Sequence, residues 1–337
     1  MNPTPPPSFS RVAIVGAGAI GGWLGVHLAR AGCRVSALAR GETLTALQRD
    51  GLHLHAGDTL LQAPVTASSS STELGVQDLV IVAVKAPALV GVARQIGPLL
   101  DANTVVLTAM NGVPWWFLDG FGGAFAGTRL ASIDPDGQIA RDIPVRHVIG
   151  GVVHASCSVD APGVVRHHFG HGLIVGEPAG GASERVRALA ALLQQAGFNA
   201  SVSPQIQKDI WYKLWGNMTV NPVSALTGAT TDRILGDELV RGFISRVMLE
   251  AKAIGEHLGI PIDQQPADRH AVTLKLGAFK TSMLQDVAAR KPVELDALVS
   301  AVRELGQLTG VATPFTDALL GLSRLQAQTL GLYPQPV

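Results

Sequence analysis

The sequence predicts an α/β N-terminal domain built on a mostly parallel sheet, followed by an all-α C-terminal domain. Three observations carry that prediction. Short apolar runs alternate with helical stretches from Arg11 to about Thr108, the order that parallel strands and their crossover helices require. A glycine-rich turn, Gly16-Ala17-Gly18-Ala19-Ile20-Gly21, stands between the first strand and the first helix. Strand signals stop near Ser203-Pro204, and nearly every later segment has helical period. A chain of 337 residues suits about two domains. The boundaries read as a disordered tail over 1–10, a sheet domain over 11–203 and a helical domain over 204–337.

The elements follow in order. Arg11 to Val15 is an apolar strand, the helix after the glycine turn ends at Gly32, and Val35 to Ala39 is a second strand. Glu42 to Arg49 is helical. Gly57-Asp58 marks a hairpin turn between Leu52-His53-Leu54-His55 and Leu60-Leu61-Gln62. Leu79 to Val84 is a buried strand, Pro87 to Leu100 a helix and Thr104 to Thr108 a strand. From Thr128 to Gly176 short β-rich segments are expected, among them Val148 to Ala155 and Gly163 to His168, then a helix over Ser183 to Ala196. Ser68 to Ser71 reads as surface loop. The later helices are Ile206 to Asn221, Asp237 to Leu258, a stretch around Leu274 to Ala289, Val293 to Thr309 and Thr316 to Leu330.

Composition removes several classes of function. Lysine plus arginine number 26 and aspartate plus glutamate 26, so no net field draws nucleic acid or an anionic membrane. Hydrophobic residues at 47% exclude disorder over most of the length. Apolar runs are interrupted before the length of a membrane span. Two cysteines, Cys33 and Cys157, are too few for a disulfide scaffold, and the start of the chain lacks the basic and apolar segments of a signal peptide, so a cytoplasmic setting is expected.

The glycine turn points to a Rossmann-type dinucleotide site. Gly16 permits the tight turn off the strand, Gly18 lets the backbone approach a pyrophosphate, and Gly21 lets the helix pack on the sheet. An NAD enzyme usually offers a carboxylate at the end of the second strand. Here no acid occupies Cys33 to Gly41, and Arg40 is placed to pair with a 2′-phosphate, which favours NADP(H).

A second constellation lies on the helix after Ser203. Lys213, Asn217 and Asn221 are spaced by four, each step advancing about 40° around the helix, so they form one polar stripe among Trp211, Leu214, Trp215 and Met218. Asn221-Pro222 marks a place where the helix should bend or end. A partly desolvated lysine suits the proton donor that a carbonyl reductase needs.

These residues together resemble the 2-dehydropantoate 2-reductase (ketopantoate reductase) family. The resemblance runs in order from residue 11 to about 325. It takes in the glycine turn, Val84-Lys85-Ala86, Asn111-Gly112, the helix from Trp211 through Lys213 and Asn217 to Asn221-Pro222, Thr281-Ser282-Met283-Leu284-Gln285-Asp286, and Glu294-Leu295-Asp296. It implies a helical domain like the C-terminal one of 6-phosphogluconate dehydrogenase, and NADPH-dependent reduction of 2-dehydropantoate to (R)-pantoate on the coenzyme A pathway. By position it makes Lys213 the proton donor and gives Asn217, Asn221 and Ser282 to the substrate. Lys85 and Asn111 would line the cofactor and the reacting centre, with Asn111 also touching substrate. Glu294 would reach the nicotinamide side as a further catalytic residue, Arg40 the 2′-phosphate and Ser156 the nicotinamide ribose. Gly16, Ala17, Gly18, Ala19, Ile20 and Gly21 would hold the pyrophosphate.

The chain departs from the family pattern at Met110, Thr231 and Phe279 and in the bulky run Val113-Pro114-Trp115-Trp116-Phe117. The aromatic run hints at a different 2-oxo acid, and two alternatives stay open: a reductase of another 2-oxo acid, and a non-catalytic NADP(H) sensor. Glu294 is also simply a good first-turn residue for a helix, and Ser282 could be a mid-helix hydroxyl bonding backward to the backbone. His167, His168 and His171 invite a metal reading, but adjacent histidines on a strand face opposite ways and no carboxylate recurs at ligand spacing, so no metal is expected. The apolar C-terminal helices leave a homodimer open.

Overall fold

The computed structural model describes residues 9–121 and 123–335. They form two compact units. The first takes the described part of Met1–Met110 with Asp119–Phe121 and Gly137–Ile206, and the second takes Asn111–Leu118 with the described parts of Gly122–Asp136 and Gln207–Val337.

In chain order the first unit runs β1 (Arg11–Val15), α1 (Ala19–Arg30), β2 (Arg34–Leu38), α2 (Gly41–Asp50), β3 (Leu52–Ala56), β4 (Thr59–Ala63), β5 (Thr66–Ser68), α3 (Ser71–Leu74), β6 (Leu79–Val82), α4 (Leu89–Ile96), β7 (Val105–Thr108), α5 (Gln138–Asp142), β8 (Val148–Ala161), β9 (Val164–Gly176), α6 (Glu184–Gln195) and β10 (Asn199–Val202). The strands make one sheet in the order β4-β3-β9-β8-β7-β6-β1-β2-β5, with β10 also paired to β9. From β8 to β5 every neighbouring pair is parallel, while β8 against β9 and β3 against β4 are antiparallel. Four of the five β1 residues and all of β6 and β7 are buried, as expected of strands covered on both faces. The Leu52–Ala56 and Thr59–Ala63 hairpin turns at Gly57-Asp58 as the sequence implies.

Four details differ from the sequence reading. Residues 1–8 of the expected tail lie outside the described residues, but Phe9 is in the core, and Asp78 accepts from the Ser10 and Arg11 amides at 3.0 and 2.8 Å, so the last two belong to the fold. The helix expected over Pro87 to Leu100 is α4 flanked by 3-10 turns at Ala86–Ala88 and Gly97–Leu99. Pro98 has no amide for the Arg94 carbonyl, so the α-helical ladder stops there. Ser68 and Ser71 are buried rather than surface loop, and the Ser68 hydroxyl donates to Glu73 at 2.5 Å. Finally, no strand forms over 128–147; the β-rich region is one long β8–β9 ribbon. Its register shifts at three places between His154 and Ala161, which breaks the alternation and makes one ribbon read as several short strands.

The second unit holds α7 (Ile206–Thr227), α8 (Thr231–Gly236), α9 (Glu238–His257), α10 (Pro266–Leu274), α11 (Ser282–Ala288), α12 (Ala301–Thr309) and α13 (Pro314–Thr329), with a π-helical turn at Asp296–Ser300 running into α12. Helix α7 does not stop at Asn221-Pro222; Pro222 lies inside it. Every residue from Met218 to Ala225 is buried, and that packing holds the helix across the missing proline donor. The stretch expected around Leu274 to Ala289 is two elements, because a loop from Lys275 to Thr281 ends α10 before the Thr281 hydroxyl caps α11 by accepting from the Leu284 amide at 3.3 Å.

The unit boundary also corrects the sheet domain drawn over 11–203, since Asn111–Leu118 clusters with the helices. Trp115, Trp116 and Phe117 are all buried, and the Phe117 ring lies 6.0 Å from that of Trp211. The aromatic run is therefore core of the helical unit, and its bulk is explained by packing. Glu304 of α12 holds a second inserted segment, accepting from the Ala131 and Ser132 amides at 2.6 and 2.8 Å.

Candidate active site

Three of the sequence-predicted residues stand at the carboxyl ends of adjacent parallel strands. Gly16 follows β1, Arg40 follows β2, and Lys85 follows β6, the two outer strands flanking β1 in the sheet. In open α/β sheets that edge is where ligands bind. Gly16 has φ +94°, and a Cβ there would stand 2.6 Å from Val84 Cγ1, so only glycine fits. A methyl on Gly21 would run into the Gly16 carbonyl oxygen and lie 2.9 Å from Ile14 Cγ2. A Cβ on Gly18 would meet nothing within 4 Å, so the backbone there faces open space. Gly18 is also the N-cap of the 12-residue α1 and supplies no side-chain cap, which leaves the helix's first amides to an incoming acceptor. Ala17, Ala19 and Ile20 complete this turn.

Arg40 is exposed and is the N-cap residue of α2. Lys85 is half-buried and begins the 3-10 turn after β6. Ser156 lies on β8 beyond Gly150, where pairing with β7 ends, and sits between two of the register shifts opposite Phe169.

The other predicted residues belong to the helical unit. Lys213, Asn217 and Asn221 lie on α7, Ser282 opens α11, and Glu294 precedes the helical turn that begins at Leu295. Asn111, read from the sequence as part of the sheet domain, is in this unit too. Lys213 Nζ donates to Asn111 Oδ1 at 2.8 Å, and Asn221 Nδ2 points at Ser282 Oγ at 3.4 Å. The Asn111 loop is fixed by Gly112, which has φ +84°, and by the Val113 amide donating to the Ala297 carbonyl at 2.8 Å. A Cβ on Gly112 would collide with the Ala297 backbone and side chain, so the loop bearing Asn111 lies directly on the π-helical turn after Glu294.

Burial pushes the Lys213 ammonium down to about 8; the Glu294 carboxylate opposes that shift and the Arg269 guanidinium adds to it. Glu294 itself is buried. Ser282 is the first residue of α11, so it has no preceding turn to bond back to, and its hydroxyl stays on the side of Asn221. Thr231, one of the departures noted above, is structural: it is buried, its hydroxyl donates to the Gly277 carbonyl at 2.6 Å and its amide to the Phe279 carbonyl at 3.0 Å. Arg269 is the charged neighbour that sequence reasoning missed. No motif announces it, because its place beside α7 comes from the packing of α10.

The histidines form a packed cluster in the sheet unit. His167 stacks on Trp23 with ring centroids 5.7 Å apart and lies 4.4 Å from His171, while His168 Nε2 meets Ser158 Oγ at 3.0 Å. Among the described residues no group of three or more His, Cys, Asp or Glu side chains is placed to hold a metal ion, and no helix is long and apolar enough to cross a membrane. Cys33 and Cys157 are both free, and burial pushes the Cys157 thiol up to about 12.

Comparison with known proteins identifies relatives over nearly the whole chain. Residues 12–180 match the model of ketopantoate reductase PanE/ApbA, and residues 205–327 match that of its C-terminal domain. A 2-dehydropantoate 2-reductase of Mesorhizobium japonicum is 47% identical over 324 residues, which cover 96% of this chain and 99% of that one. A candidate ketopantoate reductase of Ralstonia solanacearum MolK2, known from its crystal structure, is 57% identical with a TM-score of 0.94, covering 97% of this chain and 100% of that one. A D-mandelate dehydrogenase solved with NADH and anilino(oxo)acetate, 22% identical with a TM-score of 0.81 over 96% and 99% of the two chains, shares the fold. By its sequence, its two-part architecture and these matches, the chain belongs to the ketopantoate reductase family of pyridine-nucleotide-dependent oxidoreductases.

Proposed function

We propose that the protein is a cytoplasmic enzyme that reduces the 2-oxo group of 2-dehydropantoate to (R)-pantoate with NADPH, and that Lys213 donates the proton. The observation that carries this reading is the state of Lys213: half-buried, hydrogen-bonded to Asn111 at 2.8 Å, acted on by the Glu294 carboxylate, and pushed down by desolvation to about 8. An ammonium tuned to that range is charged at neutral pH and still acidic enough to release its proton within a catalytic cycle.

The glycine turn fits the cofactor, since open space over Gly18 and the uncapped start of α1 suit a pyrophosphate. Gly16 to Gly21 would hold that group, Arg40 the 2′-phosphate, and Lys85 and Ser156 other parts of the dinucleotide. A nicotinamide held there would supply the hydride that the ketone carbon accepts. As charge builds on the substrate oxygen, the Lys213 ammonium stabilises it and gives it a proton. Asn111 fixes the direction of Nζ, and Glu294 favours the charged form of Lys213 before the reaction. Asn217, Asn221 and Ser282 are neutral hydrogen-bonding groups suited to orienting a carboxylate and a hydroxyl. A sensor would have no use for a partly desolvated lysine held in this way, and the aromatic run, being core, no longer argues for a different substrate.

The direct test is loss of NADPH absorbance on adding 2-dehydropantoate, run beside a panel of branched 2-oxo acids. Turnover of other acids but not of 2-dehydropantoate would overturn the substrate assignment. Arg40→Ala should lower kcat/KM for NADPH by about 10- to 100-fold, the value of one or two charge-assisted hydrogen bonds, and leave that for NADH nearly unchanged. Equal effects on the two cofactors would remove Arg40 from the 2′-phosphate. The pH profile is set by the same lysine. Because the charged form is the acid, reduction should run fully at pH 6–7 and fall as pH rises through about 8. Steady-state rates between pH 6 and 10 check this, and a flat profile would contradict it.

A further inference from the structure

Arg269, on α10, is a charged side chain placed against the same helix that carries Lys213. Its guanidinium carbon lies 5.2 Å from the centroid of the Tyr212 ring. The group also rests on the α7 backbone at Gly216, where an added Cβ would stand 2.7 Å from Arg269 Nε and 2.9 Å from Nη2. Nε is buried and makes no hydrogen bond, and burial holds the guanidinium below the ordinary arginine range. Surface ion pairing therefore does not explain why a cation is kept here, and desolvating one is costly. Tyr212, Lys213 and Gly216 fall within a single turn and a half of α7, with Lys213 and Gly216 three residues apart and thus adjacent on the helix surface. Glu294, from the segment before the π-helical turn, and Arg269, from α10, both act on Lys213, with opposite signs. The group that acts on Arg269 is Tyr212.

We infer that Arg269 is a positioning residue for the proton donor: held over Gly216 and Tyr212, its permanent positive charge opposes Glu294 and sets the pH at which Lys213 releases its proton. Without Arg269, burial would oppose Glu294 with no cation to help it, and Lys213 would bind its proton more tightly and be a weaker acid. A second, fixed cation restores the balance, and arginine is the side chain whose charge stays on when desolvated while its guanidinium rests against a ring and a bare glycine. Gly216 is part of the device, because any side chain there would push the guanidinium off the helix. The catalytic consequence rests on the proposed role of Lys213 as proton donor, whereas the electrostatic effect on Lys213 does not.

The experiment reads Lys213 itself. Full-length protein without substrate is acetylated by trace acetic anhydride across pH 6–11, and the Lys213 peptide is quantified by mass spectrometry. In Arg269→Gln the midpoint should rise by about half a pH unit or more, as expected for removing a like charge at close range. Arg269→Lys, which keeps the charge, should titrate closer to the parent than to Arg269→Gln. In the rate assay the high-pH limb should move upward with the midpoint. An Arg269→Gln midpoint equal to the parent's overturns the inference. A midpoint that moves while the rate limb stays in place supports Arg269 and instead removes Lys213 as the proton donor. If Arg269→Gln does not fold by circular dichroism, Gly216→Ala decides, since its Cβ displaces the guanidinium and must likewise raise the midpoint; an unmoved midpoint there overturns the inference.

Discussion

Replacing Lys213 by alanine should lower kcat by about 10²- to 10⁴-fold, the span that a positioned general acid contributes, while the dissociation constant for NADPH stays close to that of the parent. The two readouts separate because Lys213 lies in the helical unit and the glycine turn in the sheet unit. The loss combines two effects in the chemical step. The alkoxide forming on the substrate has no ammonium to stabilise it, and water has to provide its proton. Stopped-flow rates with cofactor fluorescence as the binding measure test this. A variant retaining more than about a tenth of kcat would show that another group gives the proton.

The second large effect is expected from Gly21→Ala, although the change adds only a methyl group. That methyl runs into the Gly16 carbonyl oxygen and lies 2.9 Å from Ile14 Cγ2, both parts of a rigid strand and turn. Flexible side chains cannot absorb the clash, so the start of α1 has to move away from β1. A displacement of this kind costs about 1–3 kcal/mol. The turn that presents backbone to the pyrophosphate is distorted as well, so NADPH affinity should fall at least about tenfold. Denaturant midpoints and cofactor titration together check the prediction. Unchanged affinity in a destabilised variant would mean that the glycine turn serves packing alone.

Much of the sheet unit was legible because its signals are local. The β1–turn–α1 unit is written within about 20 consecutive residues, and each glycine has a steric reason at its own position. The hairpin at Gly57-Asp58 was legible for the same reason. The β8–β9 ribbon was not, because its register shifts break the alternation by which a strand is recognised. The continuation of α7 from Asn221 to Thr227 was missed because local propensity predicts a bend or an end at Asn221-Pro222, and burial from Met218 to Ala225 carries the helix past it.

The candidate site divides along the same line. The sequence by itself determined the kind of chemistry: a glycine turn for a dinucleotide, an arginine where an NAD enzyme offers an acid, and a polar stripe of Lys213, Asn217 and Asn221 at helical spacing. Only the tertiary structure decided that Asn111 belongs with Lys213, two residues 102 positions apart, and that Trp115, Trp116 and Phe117 are core. It alone set Lys213 near 8 and put Arg269 beside it. The physical reason is that a residue's type and its spacing to near neighbours are encoded along the chain, whereas desolvation and the field of distant charges exist only once remote segments are packed together.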